Sequence, residues 1–198
     1  MKENYPIKCV LINVYNIYLI LNFVNQLFKK NINLLSTSKT KKILKKNNIF
    51  STSFSDYVQF PDIIINSINV LHPRIHAGVL GKRIKDHNVM LHNRVVPIDM
   101  ICVDLIPFDK LKKIKNIELE NIIKNIEIGN ISLIKSAIIN NKEVTIVIDK
   151  HEKIIEEMNE NNDCIKLETK KKLAKKAFKY IVEYEIKLLN FLKKNNKI

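Results

Sequence analysis

Tryptophan is absent from this 198-residue chain, and glycine, cysteine and arginine each occur only three times. The three glycines and five prolines are scattered, so no Pro-, Gly- or Ser-rich linker divides the chain, and no internal repeat is visible. A chain of this length is long enough for one sizeable hydrophobic core. We therefore expect a single domain that spans residues 1–198.

The cysteine pattern excludes a disulfide framework and a cysteine-ligated zinc site. Cys9, Cys102 and Cys164 are odd in number and far apart, and they form no CxxC pair and have no histidine at zinc spacing. We expect three reduced thiols, no bound metal and a cytoplasmic location.

Long hydrophobic runs are also missing. The most apolar stretch, residues 9–24, is 16 residues long and is interrupted by Asn13, Asn16 and Asn22. A membrane span needs about 20 apolar residues, and no small-residue cleavage site of a signal peptide follows this stretch. It predicts a buried strand followed by a helix, and we expect no membrane partner.

The chain is rich in positive charge, and the origin of this charge decides whether it indicates binding to nucleic acid. The net charge is +14, but 31 of the 34 basic residues are lysine, and the chain also contains 34 isoleucines and 25 asparagines. The codons of these three amino acids are rich in A and T. An A/T-biased genome therefore produces this composition without selection for binding to nucleic acid.

The distribution of the lysines agrees with this interpretation. They are spread along the chain, and aromatic residues do not alternate with them as a nucleic-acid stacking platform requires. The densest lysine run, residues 170–179, follows a helical pattern and indicates a solvated helix face. We expect no nucleic-acid partner.

Hydrophobic periodicity predicts an α/β fold with a mainly parallel sheet flanked by helices. Strands are predicted at residues 9–14, 32–35, 98–105 and 144–148, with a possible strand at 48–54. Helices are predicted at residues 19–30, 39–46, 109–126 and 132–140, and one helix or a helix pair at 167–192. We expect residues 193–198 to form a frayed tail.

Four motifs follow one another between residues 55 and 108. They are SDY with FP at residues 55–61, LHPRIHAG with LGKR at 71–83, PIDM at 97–100 and LIPF at 105–108. In order and spacing they resemble the N-terminal cyclohydrolase domain of the AICAR formyltransferase/IMP cyclohydrolase family of bifunctional purine-biosynthesis proteins. Residues 34–40, 125–129 and 173–178 extend the resemblance over nearly the whole chain.

The resemblance implies a methylglyoxal-synthase-like (MGS-like) three-layer fold and an IMP cyclohydrolase activity, with no cofactor. That reaction closes 5-formamido-imidazole-4-carboxamide ribotide (FAICAR) to inosine monophosphate (IMP) with loss of water. It also implies a homodimer. Because we expect the formyltransferase domain to be absent, a separate formyltransferase polypeptide is a possible partner.

The resemblance further implies that loops after the first two strands hold the nucleotide phosphate. The second loop supplies Thr37, Ser38, Lys39 and Thr40, in which Ser38 and Lys39 replace two family glycines and restrict turns that need positive φ. The first loop, residues 13–19, lacks the family's phosphate-facing lysine.

Several positions that carry the family's chemistry are substituted in this chain. Asn69 and Ile139 stand where the family has lysine, and Ile106 stands where it has tyrosine. Further candidate substrate contacts are Asp104, in place of an asparagine, and Ile128. Glu127, in place of an aspartate, keeps a carboxylate and is the remaining candidate catalytic residue.

Alternative interpretations stay open at this point. His72 and His76 can order a loop by hydrogen bonds instead of binding substrate, and Asp99, Asp104 and Asp109 do not share one face of a strand as a metal site requires. The whole chain can also be a degenerate, non-catalytic remnant or a nucleotide- or phosphate-binding module of the same fold. Restoring lysine at 69 and 139 and tyrosine at 106 separates lost chemistry from a lost pocket.

Overall fold

A computed structural model of the chain describes residues 5–61, 68–107, 128–149 and 151–194. Five strands form one sheet, and every neighbouring pair is parallel. The strands are β1 (Cys9–Asn13), β2 (Asn33–Ser36), β3 (Thr52–Ser53), β4 (Met100–Val103) and β5 (Thr145–Val147), in the order β3-β2-β1-β4-β5.

Helices connect these strands. In the described residues they are α1 (Leu21–Lys29), α2 (Ser38–Lys46), α3 (Phe54–Val58), α4 (Pro73–Leu80), α5 (His87–His92), α6 (Ile128–Ile139), α7 (His151–Glu160) and α8 (Leu167–Lys194). Two 3-10 helices, Ile17–Ile20 and Ile68–Leu71, precede α1 and α4. None of the described helices is long and apolar enough to span a membrane.

Alternate residues of the strands point to opposite faces of the sheet, and each face has its own hydrophobic core. Leu11 of β1 and Ile101 of β4 pack with α4, α6 and α8. Val10 of β1 and Cys102 of β4 pack with α1, α2 and α7 on the other face. The predicted three-layer α/β fold with a parallel sheet is therefore confirmed.

The strands lie close to their predicted positions because strands covered on both faces are nearly continuous apolar runs. The third strand was predicted too long. Only Thr52 and Ser53 pair with β2, and Phe54 already begins α3. The Ser53 hydroxyl accepts the Asp56 N–H at 3.2 Å, which caps α3 and ends the strand.

The predicted helix at residues 132–140 was placed four residues too late. Helix α6 begins at Ile128 and takes in Gly129 and Asn130. The long C-terminal segment is one helix, α8, which runs to Lys194. The predicted helix at 109–126 and residues 195–198 of the predicted tail lie outside the described residues.

Asparagine performs the turn-forming role that glycine usually takes in helix termination. Asn31, Asn48 and Asn162 follow the ends of α1, α2 and α7 with φ values of 59°, 58° and 52°. Among side-chain-bearing residues, asparagine tolerates this left-handed conformation best. The scarcity of glycine is therefore compatible with tight helix ends.

Two of the recognition motifs meet at the amino ends of the strands. Arg83 of LGKR pairs with the Asp99 carboxylate of PIDM at 3.3 Å and donates to the Ile98 carbonyl at 2.6 Å. Asp99 Oδ2 accepts the backbone N–H groups of Lys8 and Cys9, each at 2.9 Å. These motif residues hold the amino ends of β1 and β4 together by hydrogen bonds and thus stabilise the amino edge of the sheet. The strand carboxyl ends lie at the opposite edge.

Candidate functional site

The strand order places a candidate site at the carboxyl ends of β1 and β4. From β1 the chain proceeds outward through β2 and β3 on one side, and through β4 and β5 on the other. Open parallel sheets bind ligands in the crevice outside the strand carboxyl ends, at the point where the strand order reverses. In this sheet, that point lies between Asn13 and Val103.

A chain of polar contacts crosses this point. The Asn13 side-chain amide donates to Asn130 Oδ1, and the Asn130 amide donates to the Asp104 carbonyl at 2.9 Å. The backbone N–H of Tyr15 donates to Asp104 Oδ1. The first turn of α6 is therefore joined to the ends of β1 and β4, and an aspartate carboxylate lies at the switch point.

The environment of Asp104 acts on its pKa in two directions. Burial raises the pKa because it disfavours the charged carboxylate, while the hydrogen bond from the Tyr15 N–H lowers it. Asp104 is half-buried, so its carboxylate is partly shielded from water.

Hydroxyl groups gather where β2 and β3 end. Thr37 caps α2: its Oγ1 accepts the Thr40 N–H at 3.0 Å and donates to the Thr40 hydroxyl at 3.0 Å. The Ser38 and Ser55 hydroxyls lie 3.2 Å apart, and those of Ser53 and Ser55 lie 3.1 Å apart. We call Thr37, Ser38, Ser53 and Ser55 the hydroxyl cluster.

The hydroxyl cluster is electrostatically suited to an anion. The N-terminus of the nine-residue helix α2 carries partial positive charge, its first turn contains no acidic residue, and Lys39 lies exposed in that turn. Nearby, Lys41 pairs with Asp56 at 2.6 Å, which lowers the pKa of Asp56. Hydroxyls and a helix N-terminus together can hold a phosphate group.

The structure brings only some of the predicted site residues to this edge. Thr37 and Ser38 belong to the hydroxyl cluster, but Thr40 is buried and its hydroxyl is bound by Thr37. Ile128 is 66% exposed at the first residue of α6, two residues from Asn130. Glu127 lies outside the described residues.

The three substituted positions lie in different surroundings. Asn69 is only 1% exposed, in the 3-10 helix that contacts α3, α4 and α6, so its side chain is enclosed by protein. Ile106 is half-buried shortly after β4. Ile139 is 74% exposed at the last residue of α6, about 16 Å along the helix axis from Ile128.

Both histidines of the LHPRIHAG motif have structural partners. His72 Nδ1 accepts the Arg74 N–H at 3.1 Å and caps α4. His76 Nδ1 lies 2.9 Å from the Ser136 hydroxyl of α6. Burial lowers the pKa of His76, and the Val70 backbone opposes this shift. The contacts favour the loop-ordering interpretation of these residues.

Sequence reasoning missed the roles of Ser53, Ser55 and Asn130. Ser55 belongs to the SDY motif, and Ser53 lies two residues before it. A serine that precedes a short helical pattern is a signal for a helix cap, so the sequence did contain an indication of the role of Ser53. Asn130 was assigned to the turn before α6. No local pattern indicates its contact with Asn13, which is 117 residues away.

A cavity of about 490 Å³ lies elsewhere, along the β2–β3 side of the sheet. Its lining residues are Cys9, Phe28, Asn31, Ile32, Asn33, Leu34, Leu35, Phe50, Ser51, Thr52, Tyr57 and Val96. None of the predicted site residues lines it. Within the described residues, no three His, Cys, Asp or Glu side chains gather as a metal site would require.

Comparison with known families agrees with the fold and the motifs. The model of the MGS-like domain family matches residues 19–132. The model of the AICARFT/IMPCHase bienzyme family matches residues 137–198.

Two curated relatives match nearly all of this chain. The bifunctional purine biosynthesis protein PurH of Buchnera aphidicola subsp. Acyrthosiphon pisum (strain Tuc7) is 38% identical over 187 residues, which cover 93% of this chain and 35% of the relative. The protein of the same name from Wigglesworthia glossinidia brevipalpis is 37% identical over 191 residues, which cover 96% of this chain and 36% of the relative. This chain therefore spans about a third of the length of these relatives.

A solved structure shares the fold. The crystal structure of ForH superposes with a TM-score of 0.77 over 91% of this chain and 96% of that chain. Sequence identity is 16%, so this similarity concerns the fold alone.

Proposed function

Because this chain belongs to the MGS-like domain family and corresponds to the N-terminal part of the bifunctional PurH proteins, we propose that it is an IMP cyclohydrolase of purine biosynthesis. Its substrate is then FAICAR and its product IMP. The proposed location is the cytoplasm, and no cofactor takes part.

The observation that carries this proposal is the hydroxyl cluster beside the switch point. Thr37 and Ser38 at the start of α2 are joined through Ser55 to Ser53 at the end of β3. A ribotide phosphate held there by hydroxyls and helix N–H groups directs its base toward the ends of β1 and β4. Asp104, Ile128 and Asn130 lie at that position.

Ring closure is an intramolecular reaction. The carboxamide nitrogen forms a bond to the formyl carbon and loses one of its two protons. The formamido nitrogen loses its proton as its double bond to that carbon forms, and the formyl oxygen leaves with both protons as water. Holding both arms in contact supplies much of the rate, because orientation removes the entropic part of the barrier. Side chains then have only to stabilise the developing charge and move protons.

Glu127 is the proposed proton-transfer group, since it precedes Ile128 at the start of α6. The aliphatic side chains of Ile106 and Ile139 cannot transfer protons, and Asn69 is enclosed by protein. We therefore expect slow turnover that depends mainly on orientation of the substrate.

The test is ring closure by the purified chain, followed by ultraviolet absorbance as FAICAR becomes IMP, against the uncatalysed rate. We expect acceleration by the wild type and a loss of about 100-fold in Glu127→Gln, since general acid–base groups contribute about 10²–10⁴-fold. The control is Glu156→Gln on the exposed face of α7, which should keep the wild-type rate. Absence of acceleration by a folded protein contradicts the proposal.

A second candidate is a nucleotide-binding remnant without catalysis. The enclosure of Asn69 and the distance of Ile139 from the switch point favour it, because neither position faces the proposed phosphate site. The combined variant Asn69→Lys, Ile106→Tyr and Ile139→Lys distinguishes the two. Recovery of turnover in this variant indicates a remnant with an intact pocket, and absence of recovery indicates that the pocket itself is lost.

The proposed assembly is a homodimer. Ile139 is 74% exposed and far from the switch point of its own subunit, so a group at this position can reach a nucleotide only on a second copy. Light scattering should give twice the chain mass of 23.1 kDa. A monomer at working concentration contradicts this assembly.

A further inference from the structure

We propose that Asp104 is a specificity residue that weakens binding of a phosphate dianion, because its negative charge lies at the switch point close to the phosphate site and its carboxylate also occupies a backbone donor there. The inference rests on the proposed function, since the ligand is taken to be a nucleoside monophosphate. It concerns how tightly the phosphate is held and not whether the ring closes.

The contact joins two distant parts of the chain. The N–H of Tyr15, in the loop after β1, donates to Asp104 Oδ1, which follows β4 and lies 89 residues away. In the same loop the Tyr18 N–H donates to Asn16 Oδ1 at 3.1 Å. Two backbone donors of this loop are thus bound by oxygens of the protein's own side chains.

The location gives this contact its functional meaning. In an open parallel sheet, the loop after the strand at the switch point faces the ligand, and outward backbone N–H groups in such loops attract anions. In this protein the anion bound by the loop is the carboxylate of Asp104. A phosphate has to displace the Asp104 carboxylate from Tyr15 or bind elsewhere.

The hydroxyl cluster is the remaining place for the phosphate, and it lies close to Asp104. Strands β2 and β4 flank β1, so their ends are about 10 Å apart at the usual strand spacing. Among the described residues no ion pair neutralises Asp104. Repulsion between one carboxylate and a dianion over about 10 Å of aqueous medium weakens binding by roughly fourfold.

Calorimetric titration of the full chain with IMP and with inosine tests the inference. Asp104→Asn removes the charge and leaves an oxygen that still accepts from Tyr15, whereas Asp104→Ala also frees the Tyr15 N–H. The control is Asp86→Asn, because Asp86 also accepts a backbone N–H, from Lys82 at 2.8 Å, but lies near the opposite edge of the sheet.

We expect Asp104→Asn to bind IMP roughly fourfold more tightly than the wild type and Asp104→Ala at least as tightly as Asp104→Asn. Inosine affinity should stay within about twofold in all variants, because inosine carries no phosphate. Asp86→Asn should match the wild type.

Three results overturn the inference: unchanged IMP affinity in Asp104→Asn, an equal gain for inosine, or no detectable IMP binding by any variant. Its failure is separable from failure of the proposed function. Ring closure without any effect of Asp104→Asn on IMP affinity removes the inference alone. A gain in IMP affinity without ring closure by the wild type or Asp104→Asn removes the cyclohydrolase proposal alone.

Discussion

Individual side chains divide between the two edges of the sheet. Arg83 and Asp99, from the motifs that reveal the family, are buried at the amino edge, where they bind backbone groups. Thr37, Ser38 and Asp104 lie at the carboxyl edge. A motif residue is therefore not by itself a site residue in this chain, and stability and function can be tested separately.

The buried ion pair gives the first stability prediction. Asp99→Asn leaves the Arg83 guanidinium without its counter-charge and weakens the acceptor of two backbone N–H groups. We expect the free energy of unfolding to fall by about 3 kcal/mol, as for other broken buried pairs. Urea denaturation measures this change.

Asp86→Asn is the matched control for that variant, because Asp86 is half-buried and accepts a single backbone N–H among the described residues, that of Lys82. Its expected loss is about 1 kcal/mol or less. Equal losses in the two variants contradict the structural role assigned to the Arg83–Asp99 pair.

The buried thiols predict sensitivity to alkaline pH. Burial raises the pKa of Cys102 well above its ordinary value of 9.0, and burial together with Asp99 raises that of Cys9 to about 12. Above pH 9 the unfolded chain releases these protons while the folded chain keeps them. The contribution of the protonated thiols to the free energy of unfolding is therefore fully present below pH 9. Above pH 9 the free energy of unfolding falls by about 1.4 kcal/mol per pH unit for each thiol.

Cys102→Val removes one of these two contributions and conserves volume approximately. The difference in unfolding free energy between variant and wild type should grow in favour of the variant by about 1.4 kcal/mol per pH unit between pH 9 and 11. Urea unfolding at a series of pH values measures it. Parallel pH profiles for the two proteins would show that Cys102 does not stay protonated in the folded state.

At the level of elements, helix ends explain how a chain with three glycines makes tight turns. Asn48 follows α2 with a φ of 58°, where glycine has no steric penalty and alanine has one. We expect Asn48→Gly to raise the free energy of unfolding by about 0.5–1 kcal/mol and Asn48→Ala to lower it by about 1 kcal/mol. Thermal and urea unfolding measure both.

A glycine within the same helix provides the control of opposite sign. Lys42→Gly, at an exposed position in the middle of α2, should cost about 1 kcal/mol because glycine is a poor helix former. If Asn48→Gly destabilises the protein as Lys42→Gly does, the left-handed helix end is not the factor that limits stability there.

The burial and the contacts of each helix or strand determined how well its position could be predicted from the sequence. Strands β1, β2, β4 and β5 are apolar runs covered on both faces, so composition alone marks them. Strand β3 is only two residues long because the Ser53 cap begins α3 at once. Helix α6 was placed late because Gly129 and Asn130 suggest a turn by composition, yet tertiary contacts of Asn130 include them in the helix.

On the scale of the whole molecule, fold and family were predictable because the motifs carry them in order and spacing. The candidate site was predictable only in part. Thr37 and Ser38 come from one local loop, whereas the Tyr15–Asp104 contact joins residues 89 positions apart. The enclosure of Asn69 results from packing against α3, α4 and α6, which no sequence pattern specifies.

In the proposed function, the carboxyl edge of the sheet holds the ribotide phosphate and thereby orients the base for ring closure. This proposal is tested most directly by comparing the ring-closure rates of FAICAR and of its dephosphorylated riboside, each with and without the protein. We expect acceleration for the ribotide and a rate for the riboside equal to the uncatalysed one at the same concentration. Equal acceleration of both compounds, or no acceleration of either, would contradict it.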